Sequence, residues 1–163
     1  MARTIPDTDR YGWALVAAQI GCGVVVAWPG PRRWPVPSVL RRLGWVVAGA
    51  GSAAAAVAAA ELGPHVSPLP KPAESALLRR DGLYRYVRHP IYAGLLATAA
   101  GVAMARGRPE PVAAAACLAG VLTIKADYEE KLLQARFGAD YDDYMARTPR
   151  FMPRSSVLRR SGA

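Results

Sequence analysis

Two polar stretches of this chain carry the residue types that bind and transfer charged groups. The first is Tyr84, Arg85, Tyr86, Val87, Arg88, His89, Pro90, Ile91 and Tyr92. Pro90 suits the first turn of a helix, which puts His89 at its cap with arginines just upstream. A helix N-terminus with free backbone N–H groups attracts a carboxylate or a phosphate. The second stretch is Asp127, Tyr128, Glu129 and Glu130, whose carboxylates suit an ammonium or another cation. Together the two could hold a zwitterionic ligand with both an amine and a carboxylate. The same residues also have a plainer reading. Arg85 and Arg88 are what membrane topology demands, Glu129 and Glu130 are what a solvated helix end contains, and Tyr84, Tyr86 and Tyr92 suit an interfacial belt.

The elements that must position these residues are apolar. Of 163 residues, 52% are hydrophobic and 20% charged. The apolar residues are gathered in blocks, which excludes a disordered chain. Residues 11–28 hold no charge; at ~1.5 Å per residue they span roughly 27 Å, close to the ~30 Å hydrocarbon core of a bilayer. Residues 43–60 are also uncharged. Residues 91–105 and 111–124 are shorter runs, which lengthen if Arg106 and Lys125 snorkel toward the interface. A soluble bundle of this size needs helices with a polar face, and these runs have none. The pattern predicts an all-α integral membrane protein of about four transmembrane helices with a C-terminal cytoplasmic helical extension.

Lys and Arg number 21 against 12 Asp and Glu, for a formal charge of +9. With four spans, both termini and the middle loop share the side that holds 15 of the 21, and six (Arg32, Arg33, Arg41, Arg42, Arg106, Arg108) lie opposite. The positive-inside rule then places the termini and both polar stretches in the cytoplasm, with the spans in a bacterial-type inner membrane. Topology and anionic headgroups account for the charge, so no nucleic-acid partner is needed. Cys22 and Cys117 are too few for a disulfide framework or a Cys-based zinc site, and both read as packing residues. No metal site is expected. Residues 1–10 carry Asp7 and Asp9, and no cleavage site follows the first run, which reads as a retained span.

Three regions follow: an N-terminal transmembrane hairpin over 1–61, a region of two spans plus cytoplasmic helices over 62–153, and a basic disordered tail over 154–163. Prolines between residues 29 and 37 break the chain between the first two spans, whose Gly21, Gly23, Gly49, Gly51 and Ser52 allow close packing. Pro64, Pro68, Pro70 and Pro72 favour extended backbone, and Asp81-Gly82 reads as a turn. The fourth span continues helically over 126–137, with Leu132, Leu133 and Phe137 on its apolar side. Gly138 suits a C-cap. Asp140 suits the N-cap of a last short helix carrying Tyr141, Tyr144 and Met145 at i, i+3, i+4.

The string from Gly82 through Arg88, His89, Pro90 and Tyr92 is followed by Glu129, Glu130, Lys131, Leu132 and Leu133, then by Phe137, Gly138, Tyr141 and Tyr144, then by Pro149, Arg150, Phe151, Met152 and Pro153. In this order it resembles the isoprenylcysteine carboxyl methyltransferase and phospholipid methyltransferase family; Ser67, Pro68, Leu69 and Pro70 fit its bacterial members. The resemblance covers roughly residues 62–153. It implies an integral-membrane helical enzyme that uses S-adenosylmethionine without a Rossmann domain. It further implies that His89, Pro90 and Tyr92 line the cofactor pocket and that Glu129 and Glu130 face the cofactor's amine, with the direct contact open between them. Gly94 and Gly101 share a helix face. Their missing side chains make room either for the cofactor or for a neighbouring helix.

The acceptor divides the catalytic candidates. A carboxylate acceptor is ionised at neutral pH and needs an arginine to place it, for which Arg85, Arg88, Arg147 and Arg150 are available. An amine acceptor must first lose a proton, which His89, Glu129 or Glu130 could take. Arg88, His89 and Arg150 are the leading catalytic candidates. The acceptor is expected to be lipophilic and to enter from the bilayer, as a membrane lipid, a prenylated molecule or an unknown small compound; carboxyl O-methylation of an isoprenylcysteine-like substrate leads, with N-methylation of a phospholipid amine behind it. A non-enzymatic exporter would carry a carboxylate buried in a span, whereas Glu61 sits at a span's edge. A membrane reductase sharing elements of this fold would be a much longer chain.

Overall fold

The computed structural model describes residues 8–63 and 78–153. The proline-rich stretch, the Ser67–Pro70 element, the first seven residues and the basic tail lie outside them. Among the described residues the chain is all-helical: α1 (Thr8–Ala27), α2 (Ser38–Leu62), α3 (Pro90–Arg106), α4 (Pro109–Phe137) and α5 (Ala139–Arg147), with a 3-10 turn over Gly82–Arg85 before α3.

Three helices, α1, α2 and α4, are long and apolar enough to cross a membrane. Their outward faces carry bare apolar side chains: Ile20, Val24, Val39, Val46, Val57 and Ile124 are all exposed. Lipid can cover such a surface and water cannot. The expected third span is α3, and its 17 residues fall at the lower end of the length a bilayer requires. Pro90 fixes its start and Gly107 ends it. The expected fourth span is α4, which continues to Phe137 for 29 residues, so it projects beyond the membrane as its pattern predicted.

The pairing of the helices departs from a simple hairpin. The main partner of α2 is α3, and that of α1 is α4. The α2–α3 seam is a ladder of small residues. A Cβ on Gly94 would lie 2.6 Å from the Gly51 carbonyl, and one on Gly101 2.5 Å from that of Gly44. Ser52 and Thr98 hydroxyls bond across the same seam at 3.1 Å. Gly51 and Ser52 therefore serve close packing, but toward α3 rather than α1. Gly21, Gly23 and Gly49 have nothing near their Cβ positions. The expectation that Gly94 leaves room for a cofactor is corrected by the same geometry, because backbone of α2 fills that space.

Cys22 joins the core cluster with Val26, Ala48, Val102, Leu118 and Leu122, whereas Cys117 is exposed, its thiol beside that of Cys22 at the α1–α4 contact. At one end of the bundle, Arg33 and Trp34 N–H groups donate to the Gly107 carbonyl, tying the first loop to the α3–α4 connection. At the other end stand the 3-10 turn, the start of α3, the end of α4 and α5.

Candidate functional site

Glu61, at the end of α2, sets the approach to α3. Its carboxylate accepts the Leu83 N–H at 3.0 and 3.3 Å, which holds the 3-10 turn against the bundle. Gly82 has φ +55, and a Cβ there would push on the Glu61 carboxylate, so the Asp81-Gly82 turn favours glycine at its second position. Tyr84 Oη donates to the Ala58 carbonyl at 3.4 Å, and Tyr144 Oη donates to the Tyr84 carbonyl at 2.6 Å. Burial raises both phenol pKa values above the ordinary tyrosine range. Tyr84 and Tyr144 are therefore neutral struts that fix α5 to the turn. Asp140 does not cap α5; it lies in the first turn, where its backbone carbonyl and carboxylate face Arg80 at 2.8 and 3.4 Å.

His89 is the N-cap residue of α3 and Pro90 its first residue, but the imidazole makes no cap bond. It turns toward α4, with Nε2 3.1 Å from Glu130 Oε1 and Nδ1 3.6 Å from Glu129 Oε2. Its ring stacks on that of Tyr92 with centroids 5.2 Å apart, and Phe151 lies at 6.1 Å. Tyr92 Oη donates to Glu129 Oε2 at 2.9 Å.

Glu130 is buried and its two oxygens are crowded with donors. Arg88 Nε reaches Oε1 at 3.0 Å; Arg150 reaches Oε1 at 3.1 Å and Oε2 at 2.5 Å. Arg150 also pairs with Asp127 at 2.7 Å. The hydrogen bond to Glu130, with Asp127 beside it, holds the Arg150 guanidinium above its ordinary pKa. Arg88 bonds in addition to the carbonyls of Met145 and Thr148, and the backbone N–H groups of Arg88 and His89 donate to the carbonyls of Pro149 and Arg150 at 2.8 and 3.1 Å. The C-terminal segment is thereby strapped over the start of α3.

Arg88, His89, Pro90, Tyr92, Glu129, Glu130 and Arg150 thus stand together, drawn from three separate stretches of sequence. Gly94 faces α2 instead. The two glutamates, equivalent in the sequence, differ here. Glu130 has its charge matched by two guanidinium groups, whereas Glu129 Oε1 bears no hydrogen bond among the described residues. Arg88 and Arg150 are occupied by Glu130, Arg147 pairs with Asp143 at 3.6 Å, and Arg85 lies over the Tyr86 ring at 4.7 Å.

A carboxylate oxygen with spare capacity beside the stacked His89 and Tyr92 rings is a donor set for a cation. Carboxylates attract an ammonium by charge, and aromatic faces attract cations through the ring quadrupole. These residues fit an amine-bearing, positively charged ligand.

Sequence reading missed Lys125, taken there as a snorkelling end residue. It is 2% exposed, its Nζ donates to Gln19 Oε1 of α1 at 2.8 Å, and it lies 5.2 Å from the centre of the Tyr92 ring. The available signal was its spacing, one helical turn before Glu129 on the same face. Gln19, a lone amide in an uncharged run, was a second.

The sequence model of the phospholipid methyltransferases matches residues 41–140, a stretch holding most of α2, all of α3 and α4, and both glutamates. The chain belongs to the phospholipid methyltransferase family. It is also similar to a protein named methanethiol S-methyltransferase 2 from Bradyrhizobium diazoefficiens, 39% identical over 80 residues, which is 48% of this chain and 30% of that enzyme. The match therefore spans less than a third of that relative's length. Membership of this family and three membrane-crossing helices make the chain an integral membrane protein.

Proposed function

We propose that the protein transfers a methyl group from S-adenosylmethionine to a lipophilic acceptor at the membrane, at a site formed by His89, Tyr92 and Glu129. The observation that carries this reading is the Glu129 oxygen that bears no hydrogen bond among the described residues, beside the stacked rings of His89 and Tyr92, in a chain of this family. Glu129 would take the amine of the cofactor, with Tyr92 Oη fixing the carboxylate through Oε2. His89 and Pro90 would form the adjoining wall. Glu130, Arg88 and Arg150 hold the segment that closes the site. When bound, the cofactor supplies a methyl group on a sulfonium: the acceptor's lone pair takes the methyl carbon, and the carbon–sulfur bonding pair stays on the sulfur.

Such a displacement asks the protein mainly for positioning and the exclusion of water. Strong anionic stabilisation of the sulfonium would favour the ground state, since charge is lost at sulfur in the transition state. Placing Glu129 at the distant amine gives binding without that penalty. The site end, in this reading, is cytoplasmic in a bacterial-type inner membrane, on the side favoured by the basic residues. The catalytic region, in this reading, is residues 62–153, whose α3 and α4 pack on α2 and α1.

For the acceptor, an isoprenylcysteine-like carboxylate remains the first reading. The likeness to a methanethiol S-methyltransferase favours a thiol as the second. The deciding experiment uses membranes containing the protein, labelled S-adenosylmethionine, and a prenylcysteine analogue or a small thiol. Label released by mild base means a carboxyl ester; base-stable label in a volatile thioether means S-methylation. Failure of the protein to bind S-adenosylhomocysteine would overturn the reading altogether.

A further inference from the structure

Lys125 is a charge in a place where charge is costly. It is 2% exposed and closes the apolar stretch of α4. An ammonium has three N–H donors, and Gln19 takes one of them at 2.8 Å. Among the described residues no carboxylate lies within ion-pairing distance of Nζ. One turn further along α4, Tyr128 Oη is buried and lacks a hydrogen-bond partner among the described residues, while its ring packs edge-on against Tyr11 of α1. The seam between α1, α3 and α4 thus contains two buried polar groups with unused bonding capacity, next to Tyr92 and Glu129.

Burying an ammonium with no carboxylate in contact is costly, and the charge of Glu129, one turn further on, only partly offsets that cost. A bond between α1 and α4 does not require that cost, because a neutral amide at position 125 would also serve Gln19. What lysine adds is a positive charge. Ionisable groups at such depth mark ligand paths in membrane proteins.

We propose that Lys125 holds the nucleophilic atom of the acceptor as an anion, a thiolate or a carboxylate, beside Tyr92. The proposal rests on the methyl-transfer reading above. With the Glu129 carboxylate taken up by the amine of the methyl donor, an anion there stands between the ammonium and the cationic sulfonium and is attracted by both, whereas a protonated amine is repelled by both. A carboxylate arrives ionised, and a thiol releases its proton to water as it binds. In the transfer the anion's lone pair bonds to the methyl carbon, and the broken bond's pair remains on the donor sulfur. The product is neutral and is no longer attracted to Lys125.

The test uses the full-length protein in detergent and three six-carbon probes: hexanethiol, hexanoate and hexylamine. With S-adenosylhomocysteine bound, hexanethiol or hexanoate is expected to raise the melting temperature of the wild type further, and Lys125→Met to weaken that binding at least tenfold. Lys125→Arg is expected to retain it. With S-adenosylmethionine, the same anionic probe is methylated, and Lys125→Met raises its KM with S-adenosylhomocysteine affinity unchanged. Gln19→Leu removes the same inter-helix bond but keeps the ammonium, so it is expected to retain anion binding. A loss in Gln19→Leu equal to that in Lys125→Met would show a structural role and overturn the proposal. So would methylation of hexylamine in preference to the anions, or an absence of anion binding by a wild type that still binds S-adenosylhomocysteine. A wild type that does not bind S-adenosylhomocysteine overturns the methyl-transfer reading instead.

Discussion

Arg88 and Arg150 close on one carboxylate oxygen, Oε1 of Glu130, at 3.0 and 3.1 Å. Each guanidinium also anchors something else: Arg88 the carbonyls at the end of α5, Arg150 the Asp127 carboxylate. One buried glutamate is therefore the knot joining the start of α3, the end of α4 and the C-terminal segment. Charge-assisted bonds of this kind are stronger than neutral ones, and they hold geometry as well as energy.

Removing that knot has a stated cost. Glu130→Gln leaves two guanidinium groups sharing a neutral amide, and breaking a buried pair from one side costs about 3–5 kcal/mol. The melting temperature of the purified protein is expected to fall by several degrees, with S-adenosylhomocysteine affinity falling in parallel. An unchanged melting temperature would show that the cluster does not hold the segment.

Glu129→Gln separates binding from stability. Among the described residues Glu129 accepts one hydrogen bond, from Tyr92, and its side chain is 29% exposed, so the variant is expected to lose only about 1 kcal/mol of stability. Its affinity for S-adenosylhomocysteine, measured by calorimetry, is expected to fall at least tenfold. If affinity falls for Glu130→Gln but not for Glu129→Gln, the assignment of the two glutamates is reversed.

The orientation is open to labelling. In a background without Cys22 and Cys117, single cysteines placed by Arg32→Cys and Arg136→Cys sit at opposite ends of the bundle. In intact bacterial cells, a membrane-impermeant maleimide is expected to label the first and spare the second. The opposite pattern would put the site outside the cytoplasm.

Much of this arrangement was legible in the sequence. Uncharged runs gave the helices, because burial in lipid demands long stretches without charge. The Arg88, His89, Pro90, Tyr92 string and the Glu129, Glu130 pair were legible as one cluster because ordered motifs carry more information than any one residue. Pairing of α1 with α4 was not legible. Alanine-rich helices present similar faces all round, so periodicity could not choose the partner of α1. Nor could spacing separate Glu129 from Glu130: adjacent helical residues point about 100° apart, and which one meets Arg88 depends on how α4 is rotated against α3. Gly94 misled for a related reason, since a missing side chain is the same signal whether a ligand or a helix fills the space.

The glycine ladder makes the last of these points testable. Gly94→Ala would push a Cβ to 2.6 Å from the Gly51 carbonyl, and Gly101→Ala to 2.5 Å from that of Gly44. Backbone atoms on both sides leave no flexible side chain to give way, so each substitution must part α2 from α3, at a cost of about 1–3 kcal/mol. Gly49→Ala meets nothing within 4 Å and gains helix propensity instead, by up to about 1 kcal/mol. Thermal denaturation of the three variants is expected to show two falls and one small rise. Because α3 carries His89 and Tyr92 at its N-terminal end, a shift of α3 also moves the site, and S-adenosylhomocysteine binding is expected to weaken more in Gly94→Ala, two residues from Tyr92, than in Gly101→Ala. Equal binding in both would mean that α3 moves as a rigid unit or that the ring stack is fixed from α4. A gain in stability for Gly94→Ala would show that the two helices are not in contact there.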